Sequence, residues 1–191
     1  MFSGYALLAG FAAAKVWYIV VHRGRRFNGW CIQGFVAGAA ALAAAVPSLG
    51  LGIPAGAYFS AAAPGLLIGI SIGRPGCFWA GCCTGRPTAS RWGIWSSDRR
   101  VGCRRIPAQP LEAVLALLTG LAALTVVVLL GPGRSGAVAV AALAAYTLGR
   151  QFLLGLRAEL PRRTRFSGPV TAVVAAAVLI ASVTVLALGA T

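Results

Sequence analysis

The sequence has few side chains that can transfer a proton. Its 191 residues include three acidic residues and one histidine, His22, which follows the first apolar run beside several arginines. A Ser/His/Asp arrangement for nucleophilic catalysis is therefore absent. We interpret Asp98, which is flanked by two arginines, as a solvated loop charge. Glu112 remains the candidate carboxylate for acid–base chemistry, and Tyr146 is a candidate proton donor.

Charge of either sign is scarce. Charged residues make up 10% of the chain, whereas about 25% is usual in a soluble domain. Hydrophobic residues reach 59%, and the mean hydropathy is +0.83. Apolar runs of about 20 residues recur, and each is long enough to cross a hydrocarbon core of about 30 Å. These runs lack the alternation of barrel strands, so helices are the expected spanning structure.

We therefore predict an all-α integral membrane protein with about six transmembrane helices, forming a single transmembrane domain over residues 1–191. The spans are expected at roughly 4–21, 29–46, 54–72, 109–130, 136–156 and 170–188. The third should be broken or kinked at Pro64-Gly65, because proline removes a backbone donor. The helices are expected to surround a polar Gly/Arg/Cys-rich re-entrant loop region within residues 73–112.

The polar segment 73–112 is where we expect the chemistry. It contains four of the five cysteines, seven of the seventeen basic residues and two of the three acidic residues. Fourteen of the basic residues fall in alternate loops, after the first, third and fifth predicted spans. The positive-inside rule then predicts that this segment is cytoplasmic. The net charge of +14 is interpreted as loop charge near anionic lipid headgroups and not as a nucleic-acid surface.

Polar side chains within the spans are further candidates. Arg150 lies inside the fifth span, with Tyr146 and Arg157 on the same helical face. A charge at this depth must point at protein, water or an anion. Gln33, in the second span, is interpreted either as an interhelical hydrogen-bond partner or as a site residue.

The cysteines allow three interpretations. Cys77 or Cys82, near arginines, could be a thiolate nucleophile that attacks an activated lipid or carries a transferred group. Together with Cys83 and Cys103 they could bind a metal, but the spacing lacks Cys-x-x-Cys pairs. The third interpretation is packing as small apolar residues, which we favour for Cys31. No metal or other cofactor is predicted.

Three ordered motifs resemble those of a known family. Positions shared with its first motif are Gly73, Arg74, Gly76, Phe78, Gly85, Arg86, Pro87, Thr88, Trp92 and Gly93. Positions shared with the second and third are Arg105, Pro107, Gln109, Glu112, Ala113, Tyr146, Arg150 and Arg157. On these residues the chain resembles the bacterial prolipoprotein diacylglyceryl transferases, membrane enzymes that move diacylglyceryl from phosphatidylglycerol to a lipobox cysteine.

The resemblance implies a multi-pass transferase of the bacterial plasma membrane. It would bind a phosphatidylglycerol-like phospholipid and transfer the lipid moiety to a thiol acceptor, either a lipid-acceptor protein or a small thiol, with no nucleic-acid partner. The residues implied in phospholipid binding are Arg74, Arg86, Arg105, Arg157, Gln33, Gly76 and Gly85. The candidate catalytic residues are Arg150, Glu112, Cys77, Cys82 and Tyr146.

The chain departs from the family at positions that would carry protons. Cys77 and Cys82 stand where the family has an Asn and a Glu, Gln33 and Ile106 replace two histidines, and Leu154 replaces a further Glu. Two alternative functions follow from these departures. One is a thiol-dependent membrane enzyme that carries out sulfur or redox chemistry at the three cysteines between positions 77 and 83. The other is a non-catalytic lipid-binding subunit that keeps the arginines.

Overall fold

The computed structural model describes residues 12, 13, 15, 16, 19, 20, 52, 54–79, 81, 83–96, 102–132, 136–158 and 162–189. The predicted spans 4–21 and 29–46 lie outside this part of the chain, apart from the six helical positions between 12 and 20. Two compact units divide the chain, Met1–Tyr58 and Phe59–Thr191. The packing and the site described below lie within the second unit. The single transmembrane domain remains a prediction.

Four long helices make up most of the described chain: α1 (Ala55–Trp79), α2 (Ala108–Leu130), α3 (Ala137–Leu154) and α4 (Arg162–Ala187). All four contain a stretch long and apolar enough to cross a membrane, which in α4 is Gly168–Ala187. The third to sixth predicted spans are thus found as helices, and the total of about six stays a prediction. Between α2 and α3, Gly131 (φ 82°) and Gly136 (φ 74°) adopt the left-handed backbone that glycine tolerates.

The third span was predicted to be broken or kinked at Pro64-Gly65. A break is not observed, and the kink stays a prediction. Helix α1 continues through both Pro64 and Pro75 and ends at Trp79, beyond the end that the sequence predicted. Proline is tolerated within membrane helices because neighbouring groups can satisfy the carbonyl that it leaves unpaired. The start of the polar segment, including Arg74 and Cys77, is therefore helical and does not belong to a re-entrant loop.

Small residues bring the helices close together. Helix α3 packs against both α2 and α4. A Cβ built at Gly120 of α2 would lie 3.1 Å from side-chain atoms of Leu67 and Ile68 on α1, and one at Gly149 of α3 would lie 2.7 Å from Leu115 of α2. Close backbone approach of this kind holds helices together in lipid, where apolar side chains gain little by leaving the solvent. The buried apolar centre consists of Leu67, Ala116, Ala123, Val138, Ala142 and Tyr146.

A small sheet forms within the connection between α1 and α2. Its two strands, β1 (Ile94–Trp95) and β2 (Arg104–Arg105), are antiparallel, with Ile94 opposite Arg105 and Trp95 opposite Arg104. Pro87 bridges to Arg105 on the other side of β2, and Gly85 bridges in turn to Arg157. The order across this sheet is therefore residue 157, residues 85–87, β2 and β1.

Backbone hydrogen bonds secure this arrangement. The Arg86 N–H donates to the Leu156 carbonyl, and the Ala158 N–H donates to the Thr84 carbonyl, both at 2.9 Å. On the other edge of the same segment, the Ile106 N–H donates to the Arg86 carbonyl, also at 2.9 Å. The sheet thus ties the polar segment to the residues that follow α3.

Replacing Gly120 by Val should destabilise the packed helices, because a Cβ alone would already be 3.1 Å from Leu67 Cβ and Ile68 Cγ1. Overpacking of this kind costs about 1–3 kcal/mol, which would appear as a lower thermal midpoint in detergent. Gly69→Val is the matched control, since a Cβ at Gly69 meets no atom within 4 Å. Equal stability of the two variants would contradict the close approach of α1 and α2.

Candidate functional site

The carboxylate of Glu112 is the centre of the candidate site. It lies near the start of α2 and is 1% exposed. Arg150 Nε donates to its Oε1 at 2.8 Å, and the Tyr146 hydroxyl donates to the same oxygen at 3.1 Å. Arg74 Nη2 also binds Oε1, and Arg157 Nη2 binds Oε2. Four side chains from outside α2 thus converge on one buried acid.

Different parts of the fold bring these groups together. Tyr146 and Arg150 are one helical turn apart on α3 and therefore share a face. Arg74 reaches the site because α1 continues past the predicted end of its span. Arg157 lies beyond the end of α3, where its pairing with Gly85 fixes the backbone.

The partners of Glu112 come from distant parts of the sequence. The observed partners lie 38 to 45 residues away along the chain, on α1, on α3 and after α3. Tyr146 and Arg150 share a face of α3, as predicted, and contact one carboxylate oxygen. The prediction that Arg157 lies on the same helical face is wrong, because α3 ends at Leu154 and Arg157 pairs with Gly85 in the segment that follows.

The cluster carries an excess of positive charge. Three guanidinium groups surround one carboxylate, and the side chains of Arg74 and Arg157 are only 17% and 12% exposed. Arg150 is the most accessible, with 37% of its side chain exposed. The arrangement is chemically suited to bind an anion, since guanidinium groups offer paired donors to phosphate or carboxylate oxygens.

Two predicted phospholipid-binding arginines lie outside this cluster. Arg86 is exposed, and its Nε donates to the Arg157 carbonyl at 3.2 Å. Arg105 Nη1 donates to the Gly85 carbonyl at 3.1 Å and to Thr84 Oγ1 at 3.4 Å. Both side chains therefore brace the backbone that holds Arg157 and do not contact Glu112.

Arg105 also lines a small cleft. It is lined by Phe78 of α1, residues of β1 and Gln109 of α2, and the Nε of Arg105 is buried without a hydrogen-bond partner among the described residues. The complete lining is Phe78, Thr84, Ile94, Trp95, Ser96, Arg105, Ile106 and Gln109.

Further residues predicted for the site are the cysteines, Gly76 and Gln33. Cys77 is half-buried on α1 and Cys83 is exposed, with a positive φ of 57° that is unusual for a residue other than glycine. Gly76 lies on α1, where an added Cβ would meet no atom within 4 Å, so close packing does not require glycine there. Cys82 and Gln33 lie outside the described residues.

Sequence reasoning missed the structural connection between Gly85 and Arg157. A Cβ at Gly85 would lie 2.0 Å from the Ile106 carbonyl oxygen, so only glycine allows the segment to fit between β2 and the end of α3. Both residues belong to the shared motifs, but nothing in the local pattern of either one indicates that they pair.

Replacing Glu112 by Gln should leave three guanidinium groups without their counter-charge. Removing one partner of a buried ion pair costs about 3–5 kcal/mol, so the thermal midpoint in detergent should fall. Added sulfate or phosphate can replace the missing charge, and should therefore stabilise the variant more than the wild type. Glu159→Gln is the control variant, since it makes the same chemical change at another acidic residue. A Glu112→Gln variant as stable as the wild type without added anion would contradict this role.

Replacing Gly85 by Ala should separate the backbone pairing that holds Arg157, because the new methyl group would collide with the Ile106 carbonyl. We expect a lower thermal midpoint and a weaker stabilisation by added phosphate. Gly73→Ala is the control, since a Cβ there meets no atom within 4 Å. A wild-type response to phosphate in Gly85→Ala would show that the pairing does not position Arg157.

Comparison with known proteins identifies one family. The family model for prolipoprotein diacylglyceryl transferase matches residues 2–189, which include every member of the Glu112 cluster. No curated protein and no solved structure matches the chain significantly. The matching family consists of transferases of lipoprotein biosynthesis, and the apolar helices of the structure are those of a membrane protein. The chain therefore belongs to the prolipoprotein diacylglyceryl transferase family.

Proposed function

We propose that the chain binds the phosphate of an anionic phospholipid on the arginine cluster and transfers the lipid moiety to a thiol acceptor. The observation that carries this proposal is the charge excess: three guanidinium groups contact one carboxylate, which leaves a net charge of +2. A phosphodiester supplies negative charge and several acceptor oxygens for the guanidinium donors of the cluster. The family's own donor, phosphatidylglycerol, has this chemistry.

In the proposed transfer, the acceptor thiol gives its proton to solvent water, and the sulfur attacks the diacylglycerol carbon that bears the phosphate. A carbon–sulfur bond forms, the carbon–oxygen bond to phosphate breaks, and its electron pair leaves with the phosphate oxygen. Negative charge therefore accumulates on the leaving group. Arg150 is the arginine best placed to stabilise it, since its side chain is the most exposed of the three and preorganised donors act most strongly where charge develops.

Glu112 is proposed to position the arginines and not to take the thiol proton. Both of its oxygens accept hydrogen bonds from guanidinium groups, and Oε1 also accepts from Tyr146. A carboxylate engaged in this way would have to lose ion pairs to accept a proton. Arg74 and Arg157 are held by it and would set the depth and orientation of the phosphate.

Cys77 is proposed as a residue that could carry the lipid moiety covalently. It follows Arg74 by three positions on α1, so the two side chains lie on neighbouring positions of one helical face. Label appearing on the protein itself after incubation with lipid would identify such a carrier. Label on an added thiol alone would indicate direct transfer.

The second candidate function is a non-catalytic lipid-binding subunit. The observation that favours it is that Glu112 is the only acid among the described residues, and it is already fully engaged by arginines. Such a subunit would use the same cluster to hold an anionic lipid. Only turnover separates the two functions.

Replacing Arg150 by Ala should lower the transfer of label from phosphatidylglycerol to a cysteine peptide by about 100- to 1,000-fold, the usual effect of losing one donor to a developing anion. Arg150→Lys keeps the charge but loses the paired N–H donors of the guanidinium group, so its activity should fall between those of the wild type and Arg150→Ala. Arg134→Ala, in the connection between α2 and α3, is the control for loss of one arginine.

The outcomes of this experiment discriminate between the functions. Unchanged turnover in Arg150→Ala would overturn the phosphate role of the cluster. Saturable binding of phosphatidylglycerol by the wild type, without any transfer of label, would establish the lipid-binding subunit. Absence of both binding and transfer would reject both functions.

A further inference from the structure

We propose that the β1–β2 hairpin docks into the headgroup layer of an anionic membrane. The docking surface, here called the aromatic hairpin face, consists of Trp92, Trp95, Arg91 and Arg104. In this proposal the indole rings lie among the lipid headgroups and the two guanidinium groups bind lipid phosphates. The surface is separate from the Glu112 cluster and does not depend on transferase activity.

The geometry of the face combines exposed aromatic rings with cations. Trp92 is 74% exposed and Trp95 is 62% exposed. The guanidinium carbon of Arg91 lies 5.2 Å from the centre of the Trp92 ring, and that of Arg104 lies 5.7 Å from the centre of the Trp95 ring. Each cation–π pair has an apolar body and a charged edge, which is the chemistry of the boundary between lipid tails and headgroups.

The strand register holds one of these pairs in place. Trp95 and Arg104 are directly opposite each other in the β1–β2 pairing, where cross-strand side chains are neighbours. A guanidinium group stacked on a ring keeps its N–H donors at its edge, where they can reach phosphate oxygens. The hairpin therefore presents indole and guanidinium groups together.

The position of the hairpin places this face at the level of the membrane boundary. Trp95 lines the same cleft as Phe78, near the end of α1, and Gln109, near the start of α2. Both helices are long and apolar enough to cross a membrane, so their ends mark the edge of the hydrocarbon. Trp79, the last residue of α1, is 76% exposed. Tryptophan is enriched at this boundary, where its ring is amphipathic.

Charge complementarity identifies the occupant as anionic lipid. The sequence between α1 and α2, residues 80–107, contains six arginines and one aspartate, a net charge of +5. Anionic headgroups attract basic segments next to a spanning helix. A water-exposed loop would gain nothing from two exposed indole rings, whereas the headgroup layer accepts both the rings and the charge.

The test measures where the two rings lie in a bilayer. The chain has five tryptophans, so the emission of Trp92 and Trp95 is obtained as the difference between wild type and a Trp92→Phe/Trp95→Phe variant in vesicles. In vesicles of phosphatidylglycerol and phosphatidylcholine, lipids brominated near the headgroup should quench this difference emission more than lipids brominated at the chain ends. Aqueous iodide should quench it weakly.

A second comparison tests the two stacked arginines. In Arg91→Gln/Arg104→Gln, the brominated lipids should quench the hairpin tryptophans less, and the loss should be larger in phosphatidylglycerol vesicles than in pure phosphatidylcholine. Arg99→Gln/Arg100→Gln removes the same charge from the same connection and is the matched control. An equal loss in both double variants would reject the stacked pairs as the lipid contacts.

Two results would overturn the docking itself. Difference emission quenched by iodide and unaffected by brominated lipids would place the face in water. Emission protected from both quenchers would show that a protein surface covers it. The thermal midpoint of each variant is measured in detergent, so a folding defect in any variant is recognised separately.

Discussion

One buried carboxylate partly neutralises three arginines at the ends of apolar helices. Without Glu112 these guanidinium groups would repel one another, and each would lose more hydration than its packing returns. Because the arginines belong to α1, to α3 and to the segment after α3, their attraction to a single acid on α2 also draws these elements together. Charge pairing supplies a long-range constraint that apolar burial cannot supply between helices whose outer faces meet lipid.

Backbone pairing fixes the position of Arg157, the one arginine of the cluster that lies outside a helix. Arg157 lies after the last residue of α3, so no helix fixes its position; the bridge to Gly85 does. Arg86 and Arg105 then donate to carbonyls of Arg157 and Gly85. These two guanidinium groups therefore hold the backbone around Arg157. Because they are used in this way, they are not members of the Glu112 cluster.

The sequence predicted the helices well because hydropathy is a local property, and each described span carries its signal within about 20 residues. Arg150 was also identifiable, since a charge inside an apolar span needs a partner. The division of the arginines into cluster and brace could not be predicted. This division depends on the pairing of Gly85 with Arg157 and on the continuation of α1 through Pro75. Neither feature produces a recognisable pattern in the local sequence. Proline suggested an interruption that the surroundings of a membrane helix do not require.

The charge of the cluster also bears on how the proposed transfer could proceed without a dedicated base. A phosphodiester and an ionised thiol each carry one negative charge, so the two reactants together match the net charge of +2 left by Glu112. The transfer makes a neutral thioether and a phosphate monoester, whose charge at neutral pH is about −1.5 to −2. Nearly the same total charge is then concentrated on the phosphate, beside the arginines. A fixed array of guanidinium groups therefore favours the movement of charge from sulfur to phosphate, which is the direction of the reaction. In the proposed transfer the arginines would do part of the work of proton-carrying residues, and Glu112 would keep the excess at two charges and not three.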